Sequence, residues 1–433
     1  MASRKLVAVA CVAAAVLAFV RTASGEEAGP CAARVTRLNV VRCALAASLV
    51  VRGERQELEA SEARTVAVSP LLPSNPVLAL SAGRRTTSSS SSSADSNNWY
   101  ATLAQEIEIA GQRGVRRKPA RAAVEAQSKR VLLSRREVAA LAWVAFFEAV
   151  AARDELRLAE RLGAATQAVS VVAHARADKG LIAPVDADVA DATALRVFQL
   201  KLAADRRTAV GQAAIVSMLG LDPANGPLAI EGELIPVGGV DEALANFGGR
   251  AVAERPEVLV LEAERRALEL RADAFRRTRI PNPTISLFVQ NDGFNERVLG
   301  AGVAFPIPLP GNVGRTYVGE IAEAEALARR VATDKERFQR EIRLEVTMTA
   351  QAFQSRAKEV EAFSHERVTR AETSLLSLGQ EIESGRLAIR DAVVTQQALV
   401  ELLRANVEAR RAWCLASVDL ARALGLPLEG RAP

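Results

Sequence analysis

Apolar positions along the chain change their period in a fixed order, and they do so twice. In the second half Ile285, Leu287 and Val289 alternate with Thr284, Ser286 and Gln290, and Leu299, Ala301, Val303, Phe305, Ile307 and Leu309 alternate with small residues and prolines. A period of two predicts strands, here about 283–291 and 298–310. The first half carries a fainter pair, about 75–84 and 99–110, in which Leu103, Ile107 and Ile109 alternate with Thr102, Glu106 and Glu108. Each pair leads into a long helical pattern, about 115–178 and about 315–383, free of proline except for Pro119. At 1.5 Å per residue such helices reach about 95–105 Å. Val346, Phe353 and Val360 recur every seven residues, as in a coiled-coil seam. Each long pattern breaks at a glycine, Gly180 or Gly385, and returns as a second helix, to about 219 and 424. Shorter helices, about 35–66 and 256–279, precede the strands; they stop before Asn75-Pro76 and Asn282-Pro283, because the residue before proline is pushed out of the helical region.

The order is a tandem duplication. Asn75-Pro76 recurs as Asn282-Pro283, Gly111 and Gly114 as Gly311 and Gly314, Gly180 to Asp186 as Gly385 to Asp391, and Leu219-Gly220-Leu221 as Leu424-Gly425-Leu426, at spacings of 207, 200, 205 and 205 residues. The expected organisation is a leader at 1–25, a first repeat at 26–220, a linker at 221–255, a second repeat at 256–426 and a tail at 427–433. The fold class is mainly α with a small β part: two strand-strand-long helix-helix repeats. One strand face is greasy and the other small or polar, which suits lipid outside and a lumen inside. Four strands cannot close a barrel, and a membrane barrel must be closed. Three chains would supply a 12-stranded outer-membrane barrel, continued by a long α-helical barrel reaching into the periplasm. Trp99 and Tyr100 would form an interfacial aromatic belt.

Composition narrows the function. Apolar residues are 49% of the 433 but aromatics only 4%, as expected of Ala-, Leu- and Val-rich helices rather than a β core. Arg4 and Lys5 before the apolar run Leu6 to Val20 read as a secretory signal, so residues 1–25 are expected to be removed and the net charge of +5 falls to +2. A nucleic-acid partner is thereby disfavoured. Serines 88–93 read as loop filler and are assigned no chemistry. Cys43 and Cys414 sit in apolar helical patterns and read as small core residues; a Cys31–Cys43 bridge needs the chain before Arg34 to fold back. His174 and His365, the only histidines, lie on separate long helices and read as surface residues, so no metal site and no cofactor are expected. No nucleophile elbow, phosphate loop or zinc spacing is present, which points away from an enzyme.

The chain resembles the TolC-like outer-membrane efflux proteins, particularly the branch serving cation and drug exporters. The carriers are Glu254-Arg255-Pro256-Glu257-Val258-Leu259 before an Ala/Glu/Arg-rich helix, the two Asn-Pro strand starts, the strand exit Phe305-Pro306-Ile307-Pro308-Leu309-Pro310-Gly311, and the paired tip turns. The resemblance implies a homotrimeric, passive exit duct in outer-membrane lipid, fed by an inner-membrane pump through a periplasmic adaptor, with an equatorial region at Asp222 to Arg250. It implies a periplasmic gate at Asp391 and Asp186 with Arg390 and Arg386, adaptor docking at Gly180, Leu181, Ala183, Gly385, Leu387 and Ala388, and a barrel-to-helix transition at Gly111, Gly114, Pro306, Pro308, Pro310, Gly311 and Gly314. Ile382, Leu387 and Val394 stand where some relatives hold a Tyr, Arg and Asp latch. The competing expectation is a periplasmic coiled-coil scaffold or adaptor without a channel.

Overall fold

The computed structural model describes residues 34–429 apart from 87–94, 223, 225, 227, 248–251, 254, 292–295, 310 and 312. The expected leader, Cys31, the serine run and Pro310 lie outside the described residues.

In the order of the chain, the first elements are β1 (Arg34–Thr36), α1 (Val40–Ala47), α2 (Leu49–Ala67), β2 (Val77–Thr86), β3 (Asp95–Glu106), α3 (Gln112–Asp178) and α4 (Pro184–Met218). They are followed by β4 (Ala229–Glu231), α5 (Val240–Ala245), α6 (Pro256–Thr278), β5 (Thr284–Asn291), β6 (Arg297–Ala304), α7 (Val318–Ala362), α8 (His365–Glu383) and α9 (Ile389–Leu424). Helix α3 runs 67 residues, about 100 Å of rise.

Several expected elements are corrected. The single helix expected at 35–66 is a strand and two helices: Ser48 leaves the helical region, and its hydroxyl accepts from the Val51 N–H at 3.3 Å to start α2. Strand β1 instead pairs in parallel with β4, joining Val35 to Ile230 across the middle of the chain. Strand β6 ends at Ala304 rather than at 310, because Pro306 and Pro308 have no N–H to give a ladder. Strand β3 occupies 95–106 rather than 99–110; beyond Glu106 its partner β5 gives way to Pro283, whose carbonyl accepts one last bond from Ile107. The second long helix starts at Val318, after Tyr317 in a left-handed turn, and breaks at Phe363, where the Ser364 hydroxyl caps α8.

The four-stranded sheet has the order β2-β3-β5-β6, antiparallel throughout. Its register lines up Leu78, Leu103, Leu287 and Ala301 in one row and Leu80, Ala101, Val289 and Leu299 in the next. The opposite face carries Ser81, Tyr100 and Gln290, and beside them Ala104, Ser286 and Gly302. Trp99 and Tyr100, expected to share a belt, are adjacent in the strand and so lie on opposite faces; Tyr100 stacks on Phe288 with ring centroids 5.8 Å apart.

Two cores hold the helices. The central one packs Trp143, Phe146 and Phe147 of α3 against Ile215, Ile342, Phe353 and Leu420, and the second packs Leu158, Leu162 and Val169 against Leu375, Ile382 and Leu403. Cys43 is buried there but disulfide-bonded, not a plain core thiol. The chain before α1 is strand and turn, not helix, which brings it back towards α1. Cys414 is a free, buried cysteine.

Candidate functional site

The helix tips place the expected site residues at one end of the molecule. Gly180 and Gly385 take positive φ, 66° and 74°, a backbone that side chains with a Cβ resist, and each lets the chain reverse within a few residues. Both turns close with a pair of backbone bonds: Leu181 N–H to Arg176 carbonyl and Gly180 N–H to Ala177 carbonyl in one, Arg386 N–H to Glu381 carbonyl and Gly385 N–H to Ile382 carbonyl in the other. Leu181, Ala183 and Ala388 are exposed, and Leu387 is half-buried.

Ala183 and Ala388 are the N-caps of the return helices, which puts Asp186 and Asp391 in the first turn of α4 and α9. A carboxylate there lies against the positive end of the helix dipole. Asp391 and Arg390 are exposed and Asp186 half-buried, and neither aspartate has an ion-pair partner among the described residues. Arg386 gives two bonds to Glu381, at 2.7 and 2.8 Å, which lower the Glu381 pKa and raise that of Arg386. It is thereby tied within its own tip, and Arg386, Arg390 and the two aspartates form no common cluster.

Three contacts at this end were not legible in the sequence. Arg176, near the end of α3, donates to the Ile382 carbonyl, fastening one tip to the other. Ile382 itself is fully buried among the packed residues of both hairpins. Between α3 and α4, the Ser170 hydroxyl donates to Asp191 at 2.5 Å, and His174 Nε2 lies 2.7 Å from the other Asp191 oxygen. His174 is therefore an ion-pair partner at the surface. The bond to Asp191 raises its pKa above the ordinary 6.5, and the Ser170 hydroxyl, then His174, lowers that of Asp191. Helical spacing puts Ser170 and His174 on one face, but only the packing of α4 supplies Asp191.

The opposite end joins the four-stranded sheet to the helices. Gly111, at φ 70°, caps α3, and Gly114 lies inside its first turn. Gly311 and Gly314 precede a later helix start; a Cβ on Gly314 would sit 2.7 Å from that of Leu309. Gln112 donates to the Ile280 carbonyl at 3.2 Å and to Asn282 at 2.8 Å, and Asn282 donates to Glu106 at 2.8 Å, so the two strand-helix junctions are bonded side by side. Pro306 and Pro308 form the irregular exit that follows β6.

Residues 40–221 match the family of outer membrane efflux proteins. Over that stretch the chain is similar to the outer membrane efflux proteins. It is 26% identical over 279 residues to protein CyaE of Bordetella pertussis, a match covering 61% of this chain; the chain spans 59% of that relative's length. Its fold superposes on the crystal structure of a membrane protein from Pseudomonas aeruginosa with a TM-score of 0.72, at 18% identity over 93% of both chains. With the outer membrane protein VceC of Vibrio cholerae the TM-score is 0.67, at 16% identity over 90% of this chain and 96% of VceC. Among the described residues no group of His, Cys, Asp or Glu is arranged to hold a metal, and no helix is long and apolar enough to cross a membrane.

Proposed function

We propose that three copies of this chain form a closed duct: three four-stranded sheets make a twelve-stranded barrel in the outer membrane, and the helices continue it as a tube into the periplasm. The observation that carries this reading is the sheet itself. Its outer strands, β2 and β6, each have one neighbour, and one face exposes Leu80 and Leu299 at 73% and 80%. An open edge with a leucine face is unstable in both water and lipid, and closure with other copies satisfies both demands. A scaffold or adaptor without a channel would have no use for such a sheet.

In this reading the two strand-strand-helix-helix runs are an internal duplication, residues 1–25 direct export and are removed, and the duct is passive. Substrate, whether a metal cation, a drug or a secreted protein, arrives from an inner-membrane pump through a periplasmic adaptor that docks on the tips around Gly180, Leu181, Ala183, Gly385, Leu387 and Ala388. Asp391, with Asp186 behind it, lines the periplasmic constriction. Three carboxylates in a narrow, poorly screened space attract cations and repel anions. The protein supplies no catalytic step.

Planar-bilayer recording tests the gate. Wild-type channels should prefer cations and be blocked by trivalent cations from the periplasmic side. Asp391→Ala should weaken both properties and Asp186→Ala less so; unchanged selectivity in Asp391→Ala would place the constriction elsewhere.

A further inference from the structure

Directly beneath the sheet lies a band of cations, most of them without carboxylate partners among the described residues. Between Glu108 and Glu125 the chain has no acid but carries Arg113, Arg116, Arg117, Lys118 and Arg121, all on the first turns of α3. The bonds of Gln112 to Ile280 and Asn282 bring the end of α6 alongside, with Arg276, Arg277 and Arg279. Three of these cations are already engaged: Arg116 with Glu108, Arg276 with Asp273 and Glu325, and Arg113 with the Ser69 carbonyl. Arg117, Lys118, Arg121, Arg277 and Arg279 have no ion-pair partner among the described residues, and the last four are exposed. Arg117 keeps a buried Nε without a hydrogen-bond partner.

Position decides what such a band meets. Helix α3 begins six residues after β3 ends, and β5 begins six residues after α6 ends. Arg117 to Arg121 therefore lie within about 14 Å of the helix start, inside the reach of long cationic side chains that extend towards an interface. At the same level Ile109, Ile280, Leu309 and Val313 are exposed by 59%, 41%, 49% and 71%. Apolar side chains with Arg and Lys just below them match the composition of a membrane boundary; a soluble nucleic acid or an acidic protein would need no greasy rim.

We propose that this collar binds the phosphate headgroups of anionic phospholipids in the periplasmic leaflet, with the apolar rim against the first acyl carbons. The proposal rests on the barrel orientation argued above. It assigns Lys118, Arg121, Arg277 and Arg279 a ligand that the duct reading does not require: each offers N–H donors to a phosphate oxygen, and Arg does so in a two-pronged geometry. Such a collar would fix the depth of the barrel in its membrane.

Native mass spectrometry of the full chain in mild detergent, with phosphatidylglycerol or phosphatidylcholine added, is the test. Near-surface cations contribute about 1 kcal/mol each, so wild type should retain phosphatidylglycerol at least about tenfold better, less so as salt rises. The variant carrying Lys118→Gln, Arg121→Gln, Arg277→Gln and Arg279→Gln should fall below about twofold on the same basis. A control that removes four exposed, unpaired arginines elsewhere, Arg196, Arg206, Arg329 and Arg343, should keep the preference. Equal retention of the two lipids by wild type, or equal loss in the control, overturns the proposal, and displacement by free glycerol phosphate overturns it in favour of a soluble anion. The number of chains in each complex is read from the same spectra, so failure of the trimer and failure of the lipid site are separate results.

Discussion

Arg255 and Glu345 meet across ninety residues of chain, with Arg255 Nη1 donating to the Glu345 carboxylate at 2.9 Å and, at the same distance, to the carbonyl of Ala423. Arg255 also donates to both oxygens of Glu257, at 3.2 and 2.8 Å. One buried guanidinium thus ties the start of α6 to α7 and to the end of α9.

Removing a partner from a buried pair leaves a desolvated charge behind, at a cost of about 3–5 kcal/mol. Arg255→Met should lower stability by about 3 kcal/mol on that basis, whereas Glu345→Gln, on the half-exposed side, should cost only about 1 kcal/mol. Denaturant midpoints check both. Burial pushes the Glu257 pKa up, but the bonds and charge of Arg255 outweigh it and the net shift is downward. Its contribution is therefore present above the ordinary glutamate range and lost as pH falls through the lower, folded value. The Arg255→Met protein should show a flatter acid limb.

His174 and Asp191 carry the opposite sign on the histidine side. A raised histidine pKa adds stability that is complete below about 6.5, the ordinary value, and fades as pH rises through the folded one. The tie between α3 and α4 should be strongest in mild acid. An NMR titration of His174 should give a midpoint above that ordinary value and return to it in Asp191→Asn. An unshifted wild-type midpoint would remove the pair.

Burial pushes the Cys414 thiol up to about 12. At pH 8 it should resist maleimide in the folded protein and react after denaturation. Rapid labelling without denaturant would show that the central core opens.

Gly300 faces Phe288 across the β5–β6 pair, and a Cβ there would sit 2.3 Å from the ring's Cζ. Gly300→Ala should displace the ring and its stack on Tyr100, at a cost of about 1–3 kcal/mol. The double variant with Phe288→Ala should recover part of the loss, as read by the heat resistance of the assembled protein. Additive losses would mean that ring and glycine do not oppose each other.

Period, glycine and proline carried much of the fold. The alternation around Leu287 and Leu299 and the breaks at Gly180 and Gly385 are local chemistry, so they could be read directly. Long-range partners were not. Strand β1 is three residues long and exists only because Ile230 lies beside Val35, and α7 breaks at Phe363 without glycine or proline. At the tips, the turns around Asp186 and Asp391 were legible as motifs, but the fastening of Arg176 to Ile382 depends on two hairpins packing together. That Trp99 and Tyr100 do not share one face follows from a simpler rule, since neighbours in a strand point to opposite faces.

The duct reading stands or falls on the number of chains that close the sheet. The most direct measurement is the mass of the detergent-extracted protein, taken from the outer-membrane fraction and kept native. Three chains in one complex, resistant to detergent, is the result expected of a sheet with two open edges and a leucine face. A stable single chain in the soluble periplasmic fraction would contradict it.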